Sequence, residues 1–329
     1  MKVVAITGER QCQIVDRPDP LAASNFAKIR VEAAPMCTEV RQYFGGQRTE
    51  CLGHEAAGVI VETGAQCKLV AGTRVVAMPL YGCGKCELCM AGEHILCPTP
   101  AEPGHGASSY AQFILKPDHL LLPIPDDITT DHASMACCGL GPTFQAAQRL
   151  EITSSDTVLI YGLGAVGLGG VINATSRGSR VIGVEPNEYR ATLAKTLGAD
   201  YVISARDPQE VVHTVMELTK GRGVDKSIEC SSLDFAPDVL VKSTRRRGAI
   251  ASVGWGGPVN ARDLVGKGLT FHGCWHWNHQ LHAPAMLELI RRSKSKLDQF
   301  ITHVFPLENV KEAWDLQSTG RCGKIILHP

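Results

Sequence analysis

A thiol, an imidazole and two carboxylates lie close together near the amino-terminal end of the sequence. They are Cys37, Glu39, His54 and Glu55. Thiolate and imidazole are ligands that zinc prefers, and a catalytic zinc keeps one coordination position open beside three protein ligands. Thr38 adds a hydroxyl next to the thiol. This stretch predicts a catalytic metal centre that takes a further ligand from elsewhere in the chain.

Four more cysteines follow the spacing C-x2-C-x2-C-x7-C. They are Cys83, Cys86, Cys89 and Cys97. Four thiolates on one short segment suit a tetrahedral Zn²⁺. Since four sulfurs leave no position for a substrate, this zinc is predicted to be structural and to brace a loop without a core of its own. The alternatives are four unrelated buried cysteines and an iron–sulfur cluster, although only one such motif is present.

A glycine-rich segment follows a short apolar strand, Val158–Tyr161, and precedes a helix-like run. Its sequence is Gly162-Leu163-Gly164-Ala165-Val166-Gly167, and the next strand ends at Glu185. This arrangement is typical of a dinucleotide site, where the glycines let the backbone approach a pyrophosphate at a helix N-terminus. Glu185 would accept hydrogen bonds from the ribose hydroxyls and repel a 2′-phosphate, which favours NAD over NADP. Arg190 lies near enough in sequence to weaken that preference.

The length of 329 residues exceeds what one hydrophobic core usually supports, which predicts two domains. Short strands broken by Gly and Pro predict an irregular, mostly β domain in the first part. From residue 156 strands alternate with helices, which predicts a doubly wound parallel sheet. We expect residues 1–139 with 277–329 to form the metal-binding domain and 140–276 the dinucleotide domain. Residues Thr129–Leu150 are predicted to form one helix.

The charge and the apolar pattern limit the partners of the protein. Its formal net charge is zero, so no basic surface for nucleic acid or anionic membrane is expected, and Arg245–Arg247 is interpreted as an exposed helix end. No apolar run is long enough for a membrane span, and the N-terminus lacks the features of a signal peptide. The thirteen cysteines are odd in number, which favours reduced thiols and metal ligands over disulfides. These features predict a cytoplasmic enzyme that acts on a small molecule.

Taken together, the motifs resemble the zinc-dependent medium-chain dehydrogenases/reductases, the superfamily of alcohol and polyol dehydrogenases. The resemblance covers essentially the whole chain. The motifs that carry it are Gly53-His54-Glu55-Ala56-Ala57-Gly58 with Gly64 beyond, the four-cysteine lobe, Cys138-Gly139, Gly162–Gly167 with Glu185, and Ile301–Pro306. It implies an α/β protein with a doubly wound parallel Rossmann sheet and an irregular, mostly β, GroES-like catalytic domain. It also implies two Zn²⁺ per chain, NAD as cofactor, and a homodimer or homotetramer.

The resemblance assigns roles to particular residues. It makes Cys37, His54 and Cys138 the ligands of the catalytic zinc and places Glu55 beside the metal. Glu39 would then hydrogen-bond the ligand histidine and fix its tautomer.

Two further residues have roles by resemblance. The Thr38 hydroxyl would pass the alcohol proton toward solvent, and Lys324 would meet the cofactor phosphates. Zinc lowers the pKa of an alcohol bound at its open position and so prepares hydride transfer from the alcohol carbon to the nicotinamide.

The first metal stretch departs from the family pattern in its spacing. The family usually has one residue between the ligand cysteine and the hydroxyl residue, whereas Cys37 and Thr38 are adjacent. A gapless alignment would put Met36 at the ligand position, and methionine is a poor zinc ligand. Cys51, three residues before His54, is a conceivable substitute. We favour Cys37 as the ligand.

Three residues are candidates for the substrate pocket. Arg41 stands where many members of the family have a relay histidine, and it cannot shuttle protons because it stays charged. Trp275 and His276 lie in an aromatic, histidine-rich segment at the end of the dinucleotide domain, where Asn278 adds an amide. A surface arginine and packing aromatics are the alternative interpretations of these residues.

The sequence therefore predicts a zinc-dependent oxidoreductase that transfers a hydride between a secondary alcohol and NAD, giving the ketone. The polar pocket candidates favour a polyol, sugar or sugar-like hydroxyl, and an amino-alcohol such as threonine is a close variant. A zinc-free NAD(P)H reductase of the same fold is one alternative. A non-catalytic NAD-binding sensor or scaffold is another.

Overall fold

The computed structural model describes residues 1–329 as two compact units. Unit 1 contains Met1–Gly139, Asn278–Arg291 and Ile301–Pro329, and unit 2 contains Leu140–Trp277 and Arg292–Phe300. The sequence division placed all of residues 277–329 with the metal-binding domain. In the structure the segment Arg292–Phe300 packs with unit 2, because Leu297 and Phe300 are buried and the helix that carries them packs on helices of that unit.

The chain forms fifteen strands and twelve α-helices. The strands are β1 (Lys2–Gly8), β2 (Gln11–Asp16), β3 (Phe26–Pro35), β4 (Ala56–Thr63), β5 (Arg74–Ala77), β6 (Phe113–Pro117), β7 (Leu121–Pro123), β8 (Thr157–Tyr161), β9 (Arg180–Val184), β10 (Tyr201–Ile203), β11 (Val224–Glu229), β12 (Thr244–Ser252), β13 (Thr270–Gly273), β14 (Ile301–Pro306) and β15 (Lys324–His328). The helices are α1 (Val40–Gly45), α2 (Glu87–Met90), α3 (Thr130–Ser134), α4 (Gly141–Arg149), α5 (Ala165–Thr175), α6 (Glu188–Thr196), α7 (Pro208–Leu218), α8 (Ala236–Ser243), α9 (Ala261–Lys267), α10 (His279–Arg292), α11 (Lys294–Phe300) and α12 (Val310–Thr319). None of these helices is long and apolar enough to cross a membrane.

Unit 1 is built around a seven-stranded sheet and the hairpin of β1 and β2. The strand order is β14-β15-β3-β4-β5-β7, and β6 also pairs with β3. The inward residues of β3 alternate with more exposed ones, as expected for a strand with one face on a core. Tyr43 of α1 stacks on Trp314 of α12 with ring centroids 4.6 Å apart, and both side chains are fully buried. This contact fixes α1, and therefore the chain that precedes it, against α12.

The four-cysteine lobe of unit 1 has little regular structure. Its elements are the single turn of α2 and a short 3-10 helix, His94–Leu96. Leu88, Met90 and Leu96 are exposed rather than packed in a core. A segment of this kind needs a cross-link other than apolar burial to hold one conformation.

Unit 2 is a parallel six-stranded sheet flanked by helices. The strand order is β10-β9-β8-β11-β12-β13, and every neighbouring pair is parallel. Strands β8 and β9 are nearly continuous apolar runs, since helices cover such a sheet on both faces. The order reverses at β8, where β9 lies on one side and β11 on the other. This is the doubly wound Rossmann arrangement that the sequence predicted.

Two local predictions were wrong. Residues Thr129–Leu150 form two helices, α3 and α4, and the turn between them contains Cys138. Pro142 lies in the first turn of α4 and starts a new helix there, since its missing N–H needs no partner at that position. The run Arg245–Arg247 belongs to the start of β12 rather than to a helix end.

Candidate active site

Four potential metal ligands from three separate segments meet in unit 1. One ligand atom from each of Cys37, His54, Glu55 and Cys138 lies within 4.8 Å of all the others. His54 Nε2 is 3.3 Å from Cys138 Sγ. Two thiolates and one imidazole are a donor set that suits Zn²⁺, and the three leave one tetrahedral position open. The donor set therefore fits the metal that the resemblance implies.

The sheet register explains why these segments meet. The antiparallel pairs Ala33–Ala57 and Pro35–Ile326 place the end of β3 beside the start of β4 and the start of β15. Continuing these registers past Pro35 brings Cys37 opposite Lys324 and the chain before β4, with His54, beside it. The edge of one sheet thus supplies most of the cluster, and the turn before α4 supplies Cys138.

The structure brings Cys37, and not its two rivals, into the cluster. Met36 is buried in the apolar core, and its N–H donates to the carbonyl of Ile325. Cys51 is exposed, and its N–H donates to the Thr49 hydroxyl. The chain therefore reaches the cluster one residue later than a gapless alignment would place it.

Gly53 holds the histidine segment in place. Its φ of +77° lies in the left-handed region, and a Cβ there would lie 2.2 Å from Ser109 Oγ. Only glycine fits both the backbone conformation and the close approach. This fixes the direction in which His54 leaves the backbone.

Glu39 orients the histidine, as predicted. His54 Nδ1 lies 2.6 Å from Glu39 Oε1, and the carboxylate is buried. Because Nδ1 donates to Glu39, Nε2 keeps the lone pair that a metal ligand needs. Glu39 Oε2 also accepts hydrogen bonds from the Tyr110 hydroxyl and from the Cys37 N–H, each at 3.1 Å. One carboxylate thus positions two of the four donor residues.

Tyr110 and Gln317 are supporting residues that the sequence did not reveal. The Gln317 amide donates to the carbonyl of Cys37 at 2.8 Å from α12, one turn beyond Trp314. Neither residue lies near the metal segments in sequence, and no local motif marks it. The packing of α1 on α12 is what brings Gln317 under Cys37.

Glu55 and Lys324 form a fully buried ion pair beside the sulfur atoms. Lys324 Nζ donates to Glu55 Oε1 at 2.7 Å, and Glu55 Oε2 accepts from the Cys138 N–H at 2.9 Å. Burial raises the pKa of Glu55 to about 7 although the ammonium opposes the shift. The Lys324 side chain is 1% exposed and that of Glu55 is 0% exposed, so the partner of each charge is the other.

The position of Lys324 therefore does not match the prediction that this residue binds the cofactor phosphates. Its ammonium is enclosed in unit 1 and bonded to Glu55, which leaves no surface for a phosphate in this conformation. The position of its positive charge instead favours thiolates. A hydrogen bond with Cys138 lowers the pKa of Cys37 well below its usual value against the effect of burial, and His54 and Lys324 lower it further.

Thr38 and Arg41 lie on the solvent side of the same segment. Both are exposed, Thr38 two residues before α1 and Arg41 within it, and the Arg41 N–H donates to the Thr38 carbonyl. An exposed hydroxyl next to Cys37 is suited to exchange protons with water.

The four-cysteine cluster forms a second set of sulfur donors in unit 1. The sulfur atoms of Cys83, Cys86, Cys89 and Cys97 all lie within 4.8 Å of one another. Backbone N–H groups point at them: Cys86 N–H donates to Cys83 Sγ at 3.4 Å and Cys83 N–H to Cys97 Sγ at 3.3 Å. The N–H groups of Lys85 and Cys86 lower the pKa of Cys83 to about 6. The arrangement suits four thiolates around one cation.

The predicted dinucleotide segment lies at the carboxyl ends of the strands in unit 2. A cavity of ≈ 370 Å³ opens there, and residues such as Gly162, Gly164, Glu185 and Arg190 line it. Gly162 has φ +86°, and a Cβ on Gly167 would lie 1.9 Å from the Gly162 carbonyl oxygen. A Cβ on Gly164 would meet nothing within 4 Å. Gly162 requires glycine for its backbone conformation and Gly167 for its close contact, whereas the open space beside Gly164 leaves room for a pyrophosphate.

The remaining predicted cofactor residues surround this cavity. Ala165 and Val166 begin α5, whose N-terminal N–H groups can bind a phosphate. Glu185 accepts from the N–H groups of Leu163 and Asn187, which holds its carboxylate at the end of β9. Arg206 also lines the cavity and was missed, because its position in the loop after β10 carries no motif.

The two aromatic-segment candidates differ in exposure. Trp275 is 42% exposed and lies two residues after β13, whereas His276 is buried in unit 2. Asn278, the amide of the same segment, is buried in unit 1 and donates to the Ala91 carbonyl. The structure thus leaves Trp275 available to a ligand and encloses its two polar neighbours.

Comparisons with known proteins agree with this architecture. Residues 24–126 match the model of the alcohol dehydrogenase GroES-like domain, and residues 165–292 match that of the zinc-binding dehydrogenase. The chain is 32% identical over 335 residues to the L-threonine 3-dehydrogenase of Bacillus velezensis, which covers 95% of this chain and 94% of that protein. It is 27% identical over 351 residues to the sorbitol dehydrogenase of Bacillus subtilis, and this match covers 100% of this chain and 97% of that protein.

A solved structure shows the same fold at low identity. An alcohol dehydrogenase of Escherichia coli CFT073, in complex with NADH, superposes with a TM-score of 0.88 at 24% identity and covers 100% of this chain and 99% of that one. The predictions of family and fold are thereby confirmed. The chain belongs to the zinc-type alcohol dehydrogenases of the medium-chain dehydrogenase/reductase superfamily, a family of oxidoreductases.

Proposed function

We propose that this chain oxidises a secondary alcohol of the polyol or sugar type to the ketone, with NAD as the hydride acceptor and a zinc ion held by Cys37, His54 and Cys138. The single observation that carries the proposal is the meeting of these three donors with a buried Glu55–Lys324 pair. Buried charged groups in contact with one another concentrate at functional sites, and this pair lies beside the three donors, which favours a catalytic role for the metal position.

The chain's own residues would prepare the metal position. When bound, zinc would lower the pKa of the substrate hydroxyl and stabilise its anion. Glu39 keeps His54 in the tautomer that presents Nε2, and Gln317 and the Glu39 carboxylate hold the backbone of Cys37. Lys324 compensates the charge of Glu55, so that two thiolates alone balance a divalent cation.

The proton released from the alcohol needs a path to water. Thr38 is the exposed hydroxyl next to Cys37, and a hydroxyl can both accept and donate a proton. We place it as the first carrier. Arg41 stays charged and therefore contributes charge rather than proton transfer.

Glu185 supports NAD over NADP. Its carboxylate lies in the cavity at the end of β9, where it would accept from ribose hydroxyls and repel a 2′-phosphate. Two guanidinium groups, Arg190 and Arg206, line the same cavity, and the buried Nε of Arg190 has no protein partner. Their charges reduce the preference without reversing it.

The substrate class rests on relatives more than on polar side chains. Burial of His276 and Asn278 removes two of the polar residues that favoured a polyol from sequence. The names of the relatives point to hydroxyl-bearing substrates, sorbitol in one and L-threonine in the other. A polyol or sugar-like alcohol is the class we propose, with threonine-like amino-alcohols as the nearest competitor.

A substrate panel tests the proposal directly. Protein of known zinc content is assayed with sorbitol, cyclic polyols, simple secondary alcohols and L-threonine, each with NAD and with NADP. We expect two zinc ions per chain and NADH formation with at least one polyol. One zinc per chain and no NADH with any alcohol would favour a zinc-free reductase or a non-catalytic NAD-binding protein. Light scattering on the same sample measures whether the protein is the homodimer or homotetramer that we propose.

A further inference from the structure

The backbone of Cys37 lies between a strand and a helix and belongs to neither. β3 ends at Pro35, and the Met36 N–H still donates to the Ile325 carbonyl at 2.9 Å. α1 begins only at Val40. The N–H and the carbonyl of Cys37 therefore need partners other than the sheet and the helix, because an unpaired backbone group in a packed segment costs free energy.

Two side chains supply these partners. The Cys37 N–H donates to Glu39 Oε2 at 3.1 Å, and the Cys37 carbonyl accepts from Gln317 Nε2 at 2.8 Å. Glu39 belongs to the same turn of the chain, directly before α1, whereas Gln317 comes from α12. The bond to Gln317 thus ties the Cys37 backbone to an element that is far away in the sequence.

Helix α12 is a firmly packed base for this bond. Its inward stripe follows the spacing i, i+3, i+4, and its buried residues are Val310, Ala313 and Trp314. Trp314 is fully buried and stacks on Tyr43 of α1 with ring centroids 4.6 Å apart. The helix therefore contacts the ligand segment at two points one turn apart, at Tyr43 and at Cys37.

Gln317 is an unfavourable choice for packing alone. It continues the inward stripe of α12, where an apolar side chain of the same length would bury more apolar surface. Its Oε1 is buried and accepts no hydrogen bond from the protein. The amide keeps this orientation because the Cys37 carbonyl needs a donor, which only the NH2 group provides. A half-satisfied buried amide costs free energy, so the benefit of Gln317 lies at Cys37 rather than in the stability of α12.

We infer that Gln317 is a positioning residue for the Cys37–Cys138 cluster, and that it sets the zinc affinity of this cluster although it supplies no ligand. The inference rests on the proposed function in taking zinc as the metal of this cluster. A carbonyl held by α12 restricts the direction of the Cys37 Cα–Cβ bond, so the thiolate is in place before the metal arrives. Binding then loses less entropy than it would with a mobile ligand.

Two substitutions separate positioning from packing. Gln317→Met keeps the length of the side chain but removes the donor. Gln317→Glu keeps the shape, but an ionised carboxylate cannot donate and repels the Cys37 carbonyl. The same two substitutions at Gln299, an exposed glutamine of α11, are the controls. Zinc release from the purified holoprotein to a chelator is measured, and the zinc of the Cys83–Cys97 cluster serves as the internal reference.

We expect zinc binding at the Cys37–Cys138 cluster to weaken about tenfold in Gln317→Met and about 100-fold in Gln317→Glu, the range for residues that orient a metal ligand. Zinc at Cys83–Cys97 should be released as in the wild type. With cobalt(II) in place of zinc, the absorption that Cys138→Ser lacks reports the geometry of the first cluster, and it should shift in both variants. The thermal midpoint of Gln317→Met should not fall, because methionine fills the stripe without an unpaired oxygen.

Three results would overturn the inference. Unchanged zinc affinity and an unchanged cobalt spectrum in both Gln317 variants would make the amide a packing residue. A lower thermal midpoint with equal loss of zinc from both clusters would make it a general folding residue. A wild type without metal at the Cys37–Cys138 cluster would contradict both the inference and the proposed function. If the wild type holds this zinc but oxidises no alcohol, the proposed function fails while the chelator assay still decides the role of Gln317.

Discussion

The two sulfur clusters of unit 1 differ in the origin of their donors and in what surrounds them. The Cys83–Cys97 cluster takes four sulfurs from one short segment, and backbone N–H groups point at them. The Cys37–Cys138 cluster takes its donors from three segments, and the buried charges of Glu39 and Lys324 lie beside it. The donors of the first cluster suit a metal held by sulfur alone, whereas the second cluster also has buried charged side chains beside its donors.

The charge balance of the two clusters supports the same distinction. Four thiolates exceed the charge of one divalent cation, and the surrounding N–H groups offset the excess. Two thiolates balance the cation, and Glu55 is balanced by Lys324. The cation of the second cluster would therefore keep more of its ability to polarise a substrate oxygen. Variants of each cluster should consequently fail in different ways.

The largest effect is expected for Cys138→Ser. Loss of this ligand should reduce kcat/KM by about three orders of magnitude, since the metal supplies several kcal/mol of charge stabilisation. The thermal midpoint should change little, because the cluster is held by β-sheet register and by Glu39. Steady-state assays and circular dichroism melts measure the two effects. Cys137→Ser is the matched control, since Cys137 is the buried neighbour that lies outside the cluster, and it should keep activity within about threefold.

Cys86→Ser should show the opposite pattern. We expect the thermal midpoint to fall by on the order of 10 °C, because the lobe has no core to replace the metal. Activity measured well below that temperature should fall much less than in Cys138→Ser. Cys51→Ser serves as the control for both clusters, since Cys51 is an exposed cysteine outside them. An equal loss of activity and stability in the two cluster variants would remove the distinction between them.

Glu39→Gln tests the charge that orients the histidine. Glutamine can still accept from His54 Nδ1 but carries no negative charge, so we expect metal affinity or kcat to fall about 10- to 100-fold. Zinc competition with a chelator and steady-state kinetics separate these two losses. If metal affinity and kcat are unchanged in this variant, a neutral hydrogen-bond acceptor is sufficient to orient His54 and the carboxylate charge is not needed.

The last effect is on stability and concerns two buried lysines of unit 1. Lys324 is paired with Glu55, whereas Lys116 has no carboxylate partner and donates to the Leu80 carbonyl while its ammonium lies 3.6 Å from the Tyr81 ring centroid. Burial lowers the pKa of Lys116 to about 7 from a usual value of 10.5. Between these two pH values the unfolded chain binds more protons than the native protein at this residue, so its contribution makes stability rise with pH.

Lys116→Met should remove that slope. From pH 7 to pH 10 the stability of the wild type relative to the variant should improve by about 3–4 kcal/mol. Thermal melts of both proteins at several pH values measure the difference. Lys195→Met, at an exposed lysine, is the control and should show no such trend. A constant gap between wild type and Lys116→Met would mean that Lys116 stays charged throughout this range.

The sequence predicted the local parts of the molecule well. The four cysteines lie in one short stretch, and so does the glycine-rich segment with Glu185. Residue types and their distances along the chain were therefore sufficient to predict that the four sulfurs meet and that the glycine-rich segment lies at the strand ends. The doubly wound sheet followed from alternating strands and helices for the same reason. In each case the residues that interact are close to one another in the sequence.

The parts that depend on long-range pairing could not be settled from sequence. The choice between Met36, Cys37 and Cys51 depends on the register of β3 against β4 and β15, which no local pattern encodes. Gln317 reaches Cys37 only because Tyr43 stacks on Trp314.

The same limit applies to buried charges. Lys324 matched a cofactor position by resemblance, but the sheet places its ammonium on Glu55. Whether a charged side chain faces a ligand or a buried partner is set by packing rather than by its place in a motif.

The most direct test of the account is the zinc content of three purified proteins, measured by mass spectrometry against protein concentration. We predict two zinc ions per chain in the wild type, one in Cys138→Ser and one in Cys86→Ser, with activity retained only where the Cys37–Cys138 cluster is intact. A Cys138→Ser protein that still binds two zinc ions and oxidises its alcohol at the wild-type rate would contradict the assignment of the two clusters.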